Sequence, residues 1–168
     1  MGNKTILKNT ILTGLLFAFT IAVQFAGIPK IATGIIVNSF YIIIIFTSGL
    51  KYALMLALLT PCGAAATGHL PPPLFPMVPV IAAGNMIYAY TYNAFKESGP
   101  AVLKYALAPF LKSSVIWAGG LAALKIFNID KAAEYILFTV LAVQFFTAAA
   151  GIFAGELILK KLPPNYRE

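Results

Sequence analysis

The stretch "YIIIIFTSGLKYALMLALL", residues 41–59, decides the fold. Its two runs, "YIIIIF" and "LKYALMLALL", do not alternate apolar with polar side chains, as the strands of a membrane barrel do. Helices satisfy their own backbone hydrogen bonds inside lipid, so runs of this kind predict membrane helices.

Working outward, the same character extends along the chain. It has 168 residues, 60% hydrophobic and 10% charged, with a mean hydropathy of +0.87, whereas soluble domains carry about 25% charged residues. Apolar stretches fall at roughly 9–27, 32–48, 52–67, 77–95, 105–124 and 133–159. Most approach the roughly 20 residues that cross a bilayer as helix. The expected fold is all-α, an integral membrane bundle of six transmembrane helices forming a single domain over residues 1–168. The first stretch follows Lys4 and Lys8 as a signal peptide would, but no small-residue cleavage site closes it, so a retained helix is expected. "MGNKTI" lacks Ser or Thr at its sixth position, which argues against myristoylation. Cys62 is the only cysteine and can form no internal disulfide.

The formal net charge is +7. A basic chain raises the question of nucleic acid, but the basic residues are spread by loop and not gathered on one patch, so no nucleic-acid partner is expected. Membrane topology accounts for them. With a cytoplasmic N-terminus, Lys4, Lys8, Lys51, Lys96, Lys104, Lys160, Lys161 and Arg167 lie inside, Lys30, Lys125 and Lys131 outside, and Lys112 within a span. That bias follows the positive-inside rule and puts both termini in the cytoplasm.

Catalytic chemistry finds little to work with. One His, one Cys and five acidic residues cannot supply a metal site in the spans, and no metal or cofactor is expected. No Asp lies in a span to support intramembrane hydrolysis, no phosphate-binding glycine loop is present for ATP, and no mid-membrane acid is placed to drive a proton pump. The chain does not read as an enzyme.

The polar residues inside the spans are more informative. Gly14, Ala18, Ala22 and Ala26 recur every four residues and give the first helix a small-residue face. Such a face packs closely against a helix, either within this bundle or on another membrane protein. Gln24, Asn38, Asn85 and Gln144 are costly to expose to lipid and serve either as interhelical hydrogen bonds or as the lining of a wet cavity. Asn85, Tyr88 and Tyr92 share a helical face that suits a small polar organic ligand. Lys112 either meets an anionic ligand group or snorkels to the cytoplasmic boundary. Trp117 either stacks on a ring or sits at the interface. For Glu156, a local ion pair with Lys160, four residues on, is the expectation.

Between the third and fourth spans runs "GHLPPPLFPMVP", residues 68–79. Proline-rich backbone is not expected to continue as helix in hydrocarbon. It reads either as a plain connector or as a semi-rigid cap carrying His69, Leu74 and Phe75 over the outer mouth, its stiffness lowering the ordering cost of closure.

The run "TGIIVNSFY…LLTPCGAAATGHLPPPLFPMVPVIAAGN", the Ala18-x-x-x-Ala22 spacing, and the Gly68–Pro73 loop leading to Gly84-Asn85 resemble the substrate-binding S component of an energy-coupling factor (ECF) transporter, a type of ABC importer. The resemblance covers essentially the whole chain. It implies a multi-pass protein of a prokaryotic cell membrane that captures a water-soluble vitamin or related micronutrient in an outward-facing pocket, made mostly by the fourth to sixth helices. It implies docking onto a transmembrane scaffold coupled to two cytoplasmic ATPases, with the S component toppling to carry its ligand inward. Carried onto this chain, Gly14, Ala18 and Ala22 become the docking face. Asn38, His69, Asn85, Tyr88, Lys112, Trp117 and Gln144 become ligand contacts, and Pro71, Pro72, Pro73 and Phe75 the lid. Lys112 and His69 point to a carboxylate or phosphate on the ligand, the aromatics to a ring. A structural membrane subunit and a stand-alone small-solute facilitator are the rival readings.

Overall fold

The computed structural model describes residues 2–97, 99–127 and 131–163, without the side chains of 131–137 and 139–141. Arg167 and the side chain of Lys131 therefore lie outside the described residues. Within them the chain is helical: α1 (Asn3–Phe25), α2 (Lys30–Thr47), α3 (Leu50–Ala66), α4 (Val78–Phe95), α5 (Ala108–Ile126) and α6 (Lys131–Lys161). All six apolar stretches form helix. Among the described residues, five helical segments are long and apolar enough to cross a membrane, and α3, with 17 residues, is a shorter apolar helix.

The "YIIIIF" run lies at the centre. Tyr41, Ile42, Ile44 and Ile45 are fully buried in α2 and pack with Leu56 of α3, Tyr88 and Tyr92 of α4 and Ile152 of α6. A helix apolar on all sides is a buried helix, and α2 is surrounded by its neighbours. Glycines bring α6 onto it. A Cβ at Gly155 would stand 2.8 Å from the Ile42 Cβ and 3.0 Å from the Ser39 carbonyl oxygen, and one at Gly151 would overlap the Asn38 side chain. Gly34 of α2 faces Thr147 in the same way, at 3.1 Å. This is a small-residue crossing of the kind that lets membrane helices approach closely. By contrast α1 is peripheral, with Leu7, Ile11, Leu15, Phe19 and Phe25 exposed.

The proline segment departs from the expectation that it would not be helical. Pro72–Met77 forms a 3₁₀ helix that runs directly into α4. Pro72 and Pro73 are acceptable there because the first turn of a helix has no internal partner for its N–H groups, and Pro76 follows inside the short helix. Leu70, Leu74 and Met77 point inward against Ile116 and Ala123 of α5 and anchor the segment. The turn from α3 uses Gly68 at φ 73°, a left-handed conformation that favours glycine.

A second irregularity precedes α5. Leu103–Leu107 is π-helical, and the N–H of Ala108 donates to the Leu103 carbonyl, five residues back. Pro109 follows, and its missing N–H leaves the Tyr105 carbonyl without its usual partner, which accounts for the widened turn. This turn presents Lys104 and Tyr105 to α6, where Lys104 Nζ lies 2.9 Å from Glu156 Oε1 and the Tyr105 hydroxyl donates to Oε2. Tyr92 of α4 donates to Oε1 at 2.7 Å. The local pair expected between Glu156 and Lys160 is thus replaced by a pair with Lys104. Lys160 is exposed, while packing carries the Glu156 carboxylate toward α4 and the π turn.

Candidate functional site

A cavity of about 130 Å³ opens toward the end of the bundle where α1 meets α2 and α3 meets α4. Asn38, His69, Asn85, Lys112 and Gln144 all line it, brought together from α2, the loop after α3, α4, α5 and α6. The ridge of α2 at Thr33, Gly34, Val37 and Asn38 forms one wall. This differs from a pocket made mostly by the fourth to sixth helices, because the glycine crossing with α6 draws α2 into the middle of the bundle. Thr60 and Pro61 of α3 and Gln24 of α1 also contribute.

Lys112 is 3% exposed. Its Nζ donates to Asn38 Oδ1 at 2.5 Å and lies 5.2 Å from the centre of the Tyr88 ring. It therefore points into the bundle and does not snorkel to a boundary. Among the described residues no carboxylate lines the cavity. A buried ammonium without an acid has lost its hydration and found only partial replacement in an amide and an aromatic face.

The remaining polar lining falls into two kinds. The threonine hydroxyls are engaged: Thr33 donates to the Ile28 carbonyl at 3.1 Å, Thr147 to the Gln144 carbonyl at 3.2 Å, and Thr60 shares a 2.5 Å hydrogen bond with Tyr41. The side-chain amides of Asn85 and Gln144 make no hydrogen bond among the described residues, and the buried Oε1 of Gln24 has no partner there. Unsatisfied amides in an apolar bundle are costly unless water or a ligand completes them.

His69 is half-buried at the mouth, beside Lys30. Burial, and then the Lys30 charge, hold its pKa below the usual imidazole value, partly opposed by a hydrogen bond to the Gln24 backbone. Its neutral ring supplies one donor and one acceptor to the entrance.

Beneath the cavity the core closes. Tyr88 donates to the Ala148 carbonyl at 2.9 Å, and its ring meets that of Tyr41 edge to face at 6.2 Å. Tyr88 is therefore floor and not lining, fully buried one turn below Asn85. Tyr92, one turn further, belongs to the Glu156 cluster.

Other sequence-derived residues lie elsewhere. Trp117 is 41% exposed on the outside of α5, its ring 5.6 Å from that of Phe138, because the helix turns it away from the face that carries Lys112. Phe75 is 44% exposed and Leu74 is buried in the packing beneath the 3₁₀ helix, so neither covers the cavity. Pro71, Pro72 and Pro73 do not line it either. Their segment reaches the site only through His69 and Leu70. Gly14, Ala18, Ala22 and Ala26 are all exposed along α1, with nothing near a Cβ placed on Gly14.

Sequence reasoning missed Thr33, Thr60 and Thr147, since threonine in a membrane helix ordinarily bonds its own backbone and carries no signal of a cavity. It also passed over Gly151-x-x-x-Gly155, a small-residue spacing that was visible. No family model, curated protein or solved structure matches the chain.

Proposed function

We propose that this chain is the membrane-embedded substrate-binding component of an energy-coupling factor importer in a prokaryotic cell membrane. It spans the bilayer six times with both termini in the cytoplasm. It captures a small micronutrient from outside and, after docking by the Gly14, Ala18 and Ala22 face of α1 on a transmembrane scaffold with two ATPases, delivers it inward. The observation that carries this reading is a polar cavity at one end of the bundle over a closed tyrosine floor. That arrangement suits capture. A facilitator needs a continuous path, and Tyr41, Tyr88 and Ile44, all fully buried, leave none beneath the cavity. A purely structural subunit leaves the lysine and amides of the cavity without a role.

The orientation rests on charge. Lys4, Lys8, Lys51, Lys96, Lys104, Lys160 and Lys161 sit at the helix ends away from the cavity, and Lys30 beside it. The positive-inside rule then turns the cavity outward. At about 25 Å, α3 crosses a hydrocarbon core of about 30 Å with slight local thinning.

The test is mass spectrometry of small molecules released on denaturing the gently purified chain, followed by uptake of the released molecule in cells carrying the chain with and without the energising module. A stoichiometric ligand whose uptake needs both ATP and the module is the expected result. An empty protein, or ATP-independent passage into liposomes holding the chain alone, overturns the reading.

A further inference from the structure

The cavity narrows the class of ligand, given that it is the capture site. We infer that it takes a small monocarboxylate with a body about the size of one six-membered ring, its carboxylate seated on Lys112 beside Asn38 and held in place by the amides of Asn85 and Gln144.

Charge comes first. The described lining contains the cations Lys112 and Lys30 and no acid, so the site is short of negative charge. Lys112 is buried at the bottom and Lys30 is exposed at the mouth. The deep point therefore matches a single negative charge, with the outer lysine steering anions inward. A carboxylate on Lys112 forms the charge-assisted hydrogen bond that Asn38, a neutral acceptor, provides only in part. Asn38 continues to accept from Nζ through its Oδ1, 2.5 Å away, and so holds the ammonium in place while the Nζ hydrogens not used by Asn38 meet the anion.

Hydrogen bonding comes next. The hydroxyls of Thr33 and Thr147 already give their hydrogens to backbone carbonyls. The free donors are the amides of Asn85 and Gln144, on two different helices. Two amides and one ammonium are a donor set for carboxylate oxygens.

Size comes last. The cavity measures about 130 Å³, and an apolar cavity of about 150 Å³ holds one benzene. Val37, Pro61, Ile81 and Val143 supply the apolar wall for such a body. The glycine crossing of α2 and α6 leaves no slack in that wall, so a second ring extends toward the open mouth and out of the apolar part of the cavity.

The test compares acids with their own amides on the full chain in nanodiscs. Benzoate against benzamide and pyridine-3-carboxylate against its amide isolate charge at constant shape, and 2-naphthoate probes size. At least one single-ring acid is expected to bind at least tenfold more tightly than its amide, and 2-naphthoate at least tenfold more weakly than benzoate. Lys112→Gln is expected to abolish the difference between acid and amide, and a melting temperature at or above that of the wild type shows that the variant folds. A set in which no acid outperforms its amide, or a Lys112→Gln chain that keeps the preference, overturns the inference. The molecule released from the purified chain separates this failure from that of the capture reading. A neutral, cationic or multi-ring ligand removes the monocarboxylate alone, whereas an empty chain removes capture as well.

Discussion

Each end of the bundle withdraws a charge from solvent, Lys112 fully and Glu156 in part, and the two are treated in opposite ways. At the end away from the cavity, Glu156 of α6 is held by Lys104 and by the hydroxyls of Tyr92 and Tyr105, drawn from α4 and the π turn. At the cavity end, Lys112 has an amide oxygen, a tyrosine face and, among the described residues, no acid. An ionised group removed from water needs both a counter-charge and hydrogen bonds. The fold supplies both to Glu156 and only part of either to Lys112. A completed network ties elements together, whereas an incomplete one marks a place where something from outside completes it.

The largest expected effect comes from breaking the completed end. Glu156→Ala leaves Lys104 and two phenols without their acceptor and is expected to cost about 3 kcal/mol of stability. Thermal unfolding in detergent measures it, and binding at the distant cavity should stay within twofold. If Glu156→Ala unfolds at the wild-type temperature, the cluster ties nothing and the contrast between the ends fails.

Next in size is Gly151→Ala. Its new Cβ meets the Asn38 side chain, with the Asn38 backbone at 3.1 Å, so α6 must move off α2. A cost of about 1–3 kcal/mol is expected from such overpacking. Because Asn38 is also the partner of Lys112, anion binding should weaken with it. Titration of benzoate on the same sample checks whether the two losses travel together.

Lys112→Met sharpens the comparison from the other side. Replacing a buried, acid-free ammonium by an apolar side chain of similar length is expected to leave stability unchanged or raise it by about 1 kcal/mol. Charge-dependent binding should disappear. A fall in melting temperature as large as that of Glu156→Ala would mean that Lys112 is structural.

The smallest effect concerns His69. Its pKa is lowered in the folded chain by burial and by Lys30. The unfolded chain therefore takes up the proton first. The His69 contribution to stability is complete above the unfolded value of about 6.5 and is lost as pH falls through the lowered folded value. His69→Gln should flatten the wild-type decline in melting temperature across that window, and a slope that survives the substitution assigns it to other groups.

Much of this organisation was legible in the residues, and where it was not the reason is physical. All six helices could be read because apolar length is a local property. Asn38, Asn85, Gln144, Lys112 and His69 could be singled out because a polar group in an apolar span needs a partner wherever it points. Their partners could not be named. Glu156 was matched to Lys160 by spacing along one helix, yet it is bound across the bundle, since a carboxylate follows burial and available donors before it follows sequence distance. Trp117 was open to two readings, a ring contact or an interfacial position, and it faces outward as the second requires, because an apolar helix such as α5 does not reveal by composition which side meets the bundle. The 3₁₀ helix at Pro72–Met77 was hidden by the expectation that prolines exclude helix, whereas Pro72 and Pro73 open its first turn and Pro76 sits inside it.

The sequence by itself determined that this chain is helical, that its spans are apolar enough for a bilayer, and that a few amides and one lysine among them required satisfaction. Those are consequences of backbone hydrogen bonding and desolvation, which act at every residue. Only the tertiary structure decided that Lys112 and Asn38 meet, that α2 lies at the centre under the glycines of α6, and that Glu156 lies at the opposite end from the buried Lys112. Such facts depend on how faces of different helices pack, and packing is set by side-chain shape at contacts far apart in the chain.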